Sequence, residues 1–212
     1  MTVPQQLPPA DEFYLAAHDG IGGRALLPRQ VLGVGLGAAL LGELMFWRRV
    51  ELAGDALRVI DDRPTGDQAT ATLLGMLRRP SVPLGPREWI THLSSVIAPS
   101  LIEQRLTNAG VLRRETKRRL FGGGEVSLVF ADPRTPGEPA NRIRTHLSYN
   151  QDLDTADLML AGLILATGLD EMVLDTINPR DRARLNDQFR RHLPHPLHQL
   201  VAHARASTAV SA

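Results

Sequence analysis

A mainly α fold, a helical bundle around one apolar central helix with small β-hairpins, is predicted by three observations. Apolar residues recur at helical spacing between proline and glycine breakers along most of the chain. Residues 31–47, VLGVGLGAALLGELMFW, form a long apolar stretch. Two segments, 49–60 and 111–130, alternate with period two on either side of glycine-bearing turns.

The elements follow in order. Residues 11–18 read as a short helix after a proline-rich start, and Gly20, Gly22 and Gly23 punctuate the next connection. The central helix is expected over 28–48, where Gly33, Gly37 and Ala38 would let a neighbouring backbone approach and Leu36, Leu40, Leu41 and Leu44 supply apolar surface. Its uncharged part before Glu43 is 12 residues long, short of the roughly 20 that a bilayer-spanning helix needs, so it reads as a core helix. Residues 49–52 and 57–60 flank Ala53-Gly54-Asp55 as a hairpin. Residues 61–67 form a loop in which Asp67 caps a helix carrying Leu73, Leu74 and Leu77 and ending at Pro80. Pro86 suits the first position of a helix containing Trp89, Ile90, Leu93 and Val96. Pro99 opens another with Leu101, Ile102, Arg105 and Leu106, which Gly110 closes. A second hairpin spans 111–130, its turn at Phe121-Gly122-Gly123-Gly124 and its return strand over 126–130. Helices are then expected over 154–167, 170–177, 179–192 and 196–205. One domain over residues 10–206, with loose ends at 1–9 and 207–212, accounts for the pattern.

Composition excludes several functions. The chain has 212 residues, 24 Lys plus Arg against 23 Asp plus Glu, a net charge of +1 and no cysteine. Disulfides, thiolate nucleophiles, Fe–S clusters and cysteine-ligated zinc are therefore ruled out. The near-neutral balance leaves any electrostatic function to local patches. Lys117 is the single lysine beside 23 arginines, a skew that reads as GC-rich, bacterial coding. The start MTVPQQLPPADEF lacks a basic n-region and an apolar h-region, which predicts a cytoplasmic protein.

The candidate sites are few. Glu43 inside the apolar helix is costly to bury unpaired, so a structural ion pair with Arg105 or Arg48 is expected. Gly33, Gly35 and Gly37 lack the third spacing and the βαβ context of a dinucleotide fingerprint. His192, His195, His198 and His203 are interrupted by Pro194 and Pro196, and no carboxylate lies at ligand spacing among them, so no metal is expected. The pairs Asp61-Asp62 and Asp170-Glu171 read as loop and helix-start residues. No nucleophile elbow is present, and the chain reads as a non-enzyme with no cofactor.

Several short runs share an order with a known family. Leu41-Gly42-Glu43-Leu44 ends the apolar helix; a hairpin, Pro64-Thr65-Gly66-Asp67, Trp89-Ile90, Arg105-Leu106, Gly110-Val111-Leu112 and residues 154–166 follow. Over residues 26–200 this resembles the Golgi phosphoprotein 3 (GPP34) family. The resemblance implies a GPP34-like helical bundle with one protruding hairpin and a non-enzymatic peripheral membrane adaptor. Eukaryotic members bind phosphatidylinositol 4-phosphate on a basic face, dip a hairpin tip into the bilayer and hold membrane glycosyltransferases by their tails. Leu120 and Phe121 fall where the family's membrane-inserting residues lie, directly after Lys117-Arg118-Arg119. The family's pocket tryptophan falls near Pro28 and its arginines at Gly37, Ser100 and Glu103, so those pocket residues do not carry over. The implied partners are an anionic phospholipid surface, on the inner face of the plasma membrane, and a membrane-protein client.

Elementary energetics suits that expectation. Arg113, Arg114, Lys117, Arg118 and Arg119 place five positive charges within seven residues. Near an anionic bilayer each is worth about 1 kcal/mol, and burying Leu120 or Phe121 adds roughly 1.5–3 kcal/mol each. Before ordering costs are subtracted, the sum supports weak to moderate attachment, so self-association into a homo-oligomer would matter. The plainer alternative is a solvated hairpin whose Leu120 or Phe121 packs on its own protein or a neighbour, which makes a soluble protein-interaction domain without lipid binding. A helix with Arg105, a Gly110 stop and a basic wing also reads as a winged-helix nucleic-acid binder. The balanced charge and apolar helix weigh against that reading.

Overall fold

The computed structural model describes residues 7–63, 65–117 and 125–209. Helix α2 (Arg29–Phe46) is its axis, and α1 (Pro9–Ala16), α4 (Pro86–Ser94), α5 (Ile97–Asn108), α7 (Thr155–Thr167) and α10 (His195–Thr208) all pack against it. At 1.5 Å per residue α2 is about 27 Å long. By length and composition it could cross a bilayer, yet 78% of it is buried in the bundle. Leu36, Leu40, Leu41 and Leu44 are wholly buried, each worth roughly 1.5–3 kcal/mol over exposure.

The glycines of α2 admit its neighbours on different sides. A Cβ on Gly33 would stand 1.7 Å from the Ser94 carbonyl oxygen of α4, and one on Gly35 would meet the Phe13 ring of α1 at 2.2 Å. Gly42 gives the same room to Met159 of α7, at 1.9 Å. At Gly33, where the neighbour is backbone, α2 and α4 approach too closely to leave space for a methyl group between them.

Local signals position the remaining elements. Strands β1 (Val50–Ala53) and β2 (Ala56–Val59) pair antiparallel, Val50 opposite Val59 and Ala53 opposite Ala56. Asp67 caps α3 (Gln68–Leu77), its Oδ2 accepting the Thr70 N–H at 2.9 Å. Asp154 caps α7 and Asn178 caps α9 (Pro179–His192) in the same way. Strands β3 (Leu112–Lys117) and β4 (Glu125–Phe130) form the second antiparallel pair. The result among the described residues is ten α-helices and two small two-stranded sheets, a mainly α fold.

The elements depart from expectation in four places. Helix α1 spans Pro9–Ala16 rather than 11–18, leaving His18 free to form an isolated bridge with Ala25. Helix α4 stops at Ser94, so Val96 is not in it; α5 begins at Ile97, with Pro99 in a first turn whose N–H groups have no helical acceptor in any case. The expected helix over 170–177 is only α8 (Asp170–Val173). Leu174 leaves helical geometry at φ −123° and is fully buried, and the chain must then open for the Asn178 cap. Helix α6 (Glu138–Ser148) has no counterpart in the sequence reading, although Ala140, Ile143 and Leu147 carry its buried face at helical spacing.

Candidate functional site

The second hairpin is rooted firmly in the bundle. Gly110 takes φ +73°, a left-handed conformation that costs glycine nothing, and the Val111 N–H donates to the Leu106 carbonyl as the chain turns from α5 into β3. Leu112 lies opposite Phe130, and both are buried. The Phe130 ring meets Tyr14 edge-on at 6.4 Å and His18 at 5.9 Å, while Tyr14 and His18 stack at 4.1 Å. His18 Nδ1 lies 2.7 Å from the Tyr14 carbonyl oxygen, and burial lowers the histidine's pKa. The Gly20–Gly23 loop backs the return strand, Gly23 lying beside the Leu128 carbonyl and Gly20 against that of Pro133.

Strand alternation divides the basic run. Arg113 pairs in register with Val129 and Arg114 with Leu128, so the two exposed arginines occupy opposite faces of the hairpin. Arg113 Nε is 3.7 Å from Glu115, and Lys117 stands opposite Glu125 in register. Arg118, Arg119, Leu120 and Phe121 lie outside the described residues.

The positions aligned with the family's lipid pocket present different chemistry. Pro28 caps α2, Gly37 is inside the bundle, where an added Cβ would stand 3.2 Å from Leu93, and Ser100 and Glu103 lie on α5. Burial pushes the Glu103 carboxyl upward against the opposing charge of Arg29. None of the four supplies a guanidinium for a phosphate.

Arg105 and Glu43 meet in a buried cluster that joins four helices. Arg105 donates from Nη1 to Glu43 Oε2 at 2.9 Å and from Nη2 to Glu43 Oε1 at 3.0 Å. It also donates from Nε to Asp11 at 2.7 Å and from Nη1 to Asp67 at 3.1 Å. The Ala10 N–H donates to Glu43 as well. One guanidinium thus faces three carboxylates. Asp67 remains ionised: the Thr70 N–H and Arg105 outweigh its desolvation and lower its pKa. Burial raises Glu43, and it pushes Asp11 up to about 7 against the pull of Arg105. Asp11 therefore keeps its proton up to near neutrality. The guanidinium fills the centre, so the acids form an internal clamp, and no metal-binding group of His, Asp and Glu occurs among the described residues. The same bonds withdraw Arg105 from any nucleic acid, and Ala98, Ile102 and Leu106 commit the same helix to the core.

A second cluster escaped the sequence reading. Arg142 on α6 donates to Asp157 at 2.7 Å and to Glu12, tying α6 to α7 and α1. Recognising the Ala140, Ile143, Leu147 periodicity would have placed Arg142 on a helix. Its partners, distant in sequence, carry no local signal.

The proton on Asp11 gives stability a pH dependence. In the unfolded chain Asp11 ionises near 3.8, whereas in the fold it holds its proton to about 7. The folded state therefore binds more protons between those values, and this contribution is complete below about pH 4 and lost as pH rises through 7. Between about pH 5 and about pH 8 the loss is about 2–3 kcal/mol. Urea unfolding of Asp11→Asn should show this component of the pH dependence removed; an unchanged profile would place the proton elsewhere.

Compared with known proteins, the chain gives one result at the family level. The sequence model described as Golgi phosphoprotein 3 (GPP34) matches residues 10–208, nearly the whole chain. No curated protein matches it.

Proposed function

The chain belongs to the Golgi phosphoprotein 3 (GPP34) family, and from that premise we propose that it is a non-catalytic peripheral adaptor attaching to anionic membranes through the β3–β4 hairpin. The observation that carries this reading is the exposed pair Arg113 and Arg114 at the base of a hairpin anchored by Leu112 and Phe130. A hairpin entering headgroups tip first is surrounded by phosphates on both faces, and arginines on opposite faces suit that geometry. Lys117, Arg118 and Arg119 continue the charge towards Leu120 and Phe121, the residues assigned to the bilayer. Pro28, Gly37, Ser100 and Glu103 offer no guanidinium, so attachment follows surface charge rather than one phosphoinositide headgroup. The site of action is the inner face of the plasma membrane. There self-association strengthens weak individual contacts, and a membrane-protein client is the cargo.

Co-sedimentation with phosphatidylglycerol vesicles should be strong at low salt, weak at high salt and absent with phosphatidylcholine. Arg113→Glu with Arg114→Glu should weaken it by about tenfold or more. Leu120→Ala with Phe121→Ala should also reduce it. No co-sedimentation with phosphatidylglycerol at low salt would sink the proposal and favour a protein-interaction domain.

A further inference from the structure

Helices α9 and α10 both pack on α7. They are joined at Leu193-Pro194, where the Phe189 ring meets His198 with centroids 4.7 Å apart. Gly162 lets Phe189 lie down on α7, since a Cβ there would stand 2.4 Å from the ring. A groove of about 600 Å³ takes in Phe189 and His198 and reaches Arg205. Leu165 and Ala166 of α7 line it, with Val201 and Ala202 of α10 along one wall.

The groove is lined mostly by apolar groups, with Asn186 among its polar ones and two arginines carrying its charge. His198, Arg190 and Arg205 line it, and no Asp or Glu does. The Arg190 charge is only loosely matched, by Asp187 at 3.8 Å. Arg205 has no carboxylate within ion-pair distance among the described residues. Such a groove calls for an occupant with an apolar body and one negative end. A second copy's basic hairpin has the wrong charge for it. Length narrows the class further. The seven positions from His198 to Arg205 span about 10 Å of helix, and an extended alkyl chain covers that with about eight carbons.

We propose that this groove binds a medium-chain fatty acid, its alkyl chain lying over Leu165 and Ala166 and its carboxylate paired with the Arg205 guanidinium. The site is separate from the hairpin and independent of membrane attachment. Calorimetric titration of the full-length protein with decanoate, below its micellar range, tests it. The expected result is one saturable site, with decanol bound about tenfold more weakly or worse. Arg205→Gln should reduce decanoate binding by a similar factor and leave decanol unchanged. Ala202→Trp, at an exposed position on the groove wall, should abolish both while circular dichroism stays unchanged. Arg113→Glu with Arg114→Glu should bind decanoate normally, which separates this site from vesicle attachment. Equal binding of decanoate and decanol, undiminished binding by Ala202→Trp, or preference for decyl phosphate over decanoate would overturn the assignment.

Discussion

Replacing Arg105 with Met should cost about 3–5 kcal/mol of folding stability at neutral pH, a large part of the roughly 5–15 kcal/mol available to a domain. The side chain is 11% exposed and Glu43 is 0% exposed, so water cannot take over the lost hydrogen bonds. Three carboxylates from α1, α2 and the cap of α3 would be left facing one another. Their mutual repulsion can be relieved only by proton uptake or by opening the bundle. Urea denaturation should show the midpoint falling on the order of 1–3 M. The deficit should shrink as pH falls below about 7, where Asp11 takes up its proton. Adding Asp11→Asn and Glu43→Gln should recover much of it, since neutral amides need no cation. A loss under about 1 kcal/mol at neutral pH would mean that the cluster is solvated and does not clamp the helices.

The second large effect is steric. Gly33→Ala should lower stability by about 2–3 kcal/mol, because the added methyl collides with the Ser94 backbone carbonyl, which cannot swing aside as a side chain could. The matched control is Gly75→Ala on α3, where a Cβ meets nothing within 4 Å. There the substitution should raise stability by about 0.5–1 kcal/mol through helix propensity alone. In thermal unfolding the first variant should fall by about 5–10 °C and the second rise by about 2–4 °C. The opposite signs separate packing from propensity in a single pair. Stabilisation by both would show that α2 and α4 can part without cost.

Much of the architecture was legible residue by residue. Asp67 and Asp154 announce helix starts because a capping carboxylate acts within one turn of its own chain. Gly110 announces a helix end because left-handed backbone is a property of a single residue. Where the reading erred, a longer-range interaction had won. Leu174 is drawn into the core and truncates α8, and α6 is held by Arg142 reaching Asp157 and Glu12. The family and the mainly α class were accessible for the same reason as the caps: order, spacing and periodicity are written along the chain.

The sequence by itself determined most of the helices and both hairpins, that Glu43 needs a cation, and that a basic run precedes Leu120 and Phe121. The tertiary structure alone decided that Arg105 answers three carboxylates rather than one and that Asp11 keeps a proton towards neutrality. Capping and periodicity depend on neighbours within a turn or a strand. Desolvation and charge balance exist only once residues 38, 62 and 94 positions apart have been packed around one guanidinium and closed off from water.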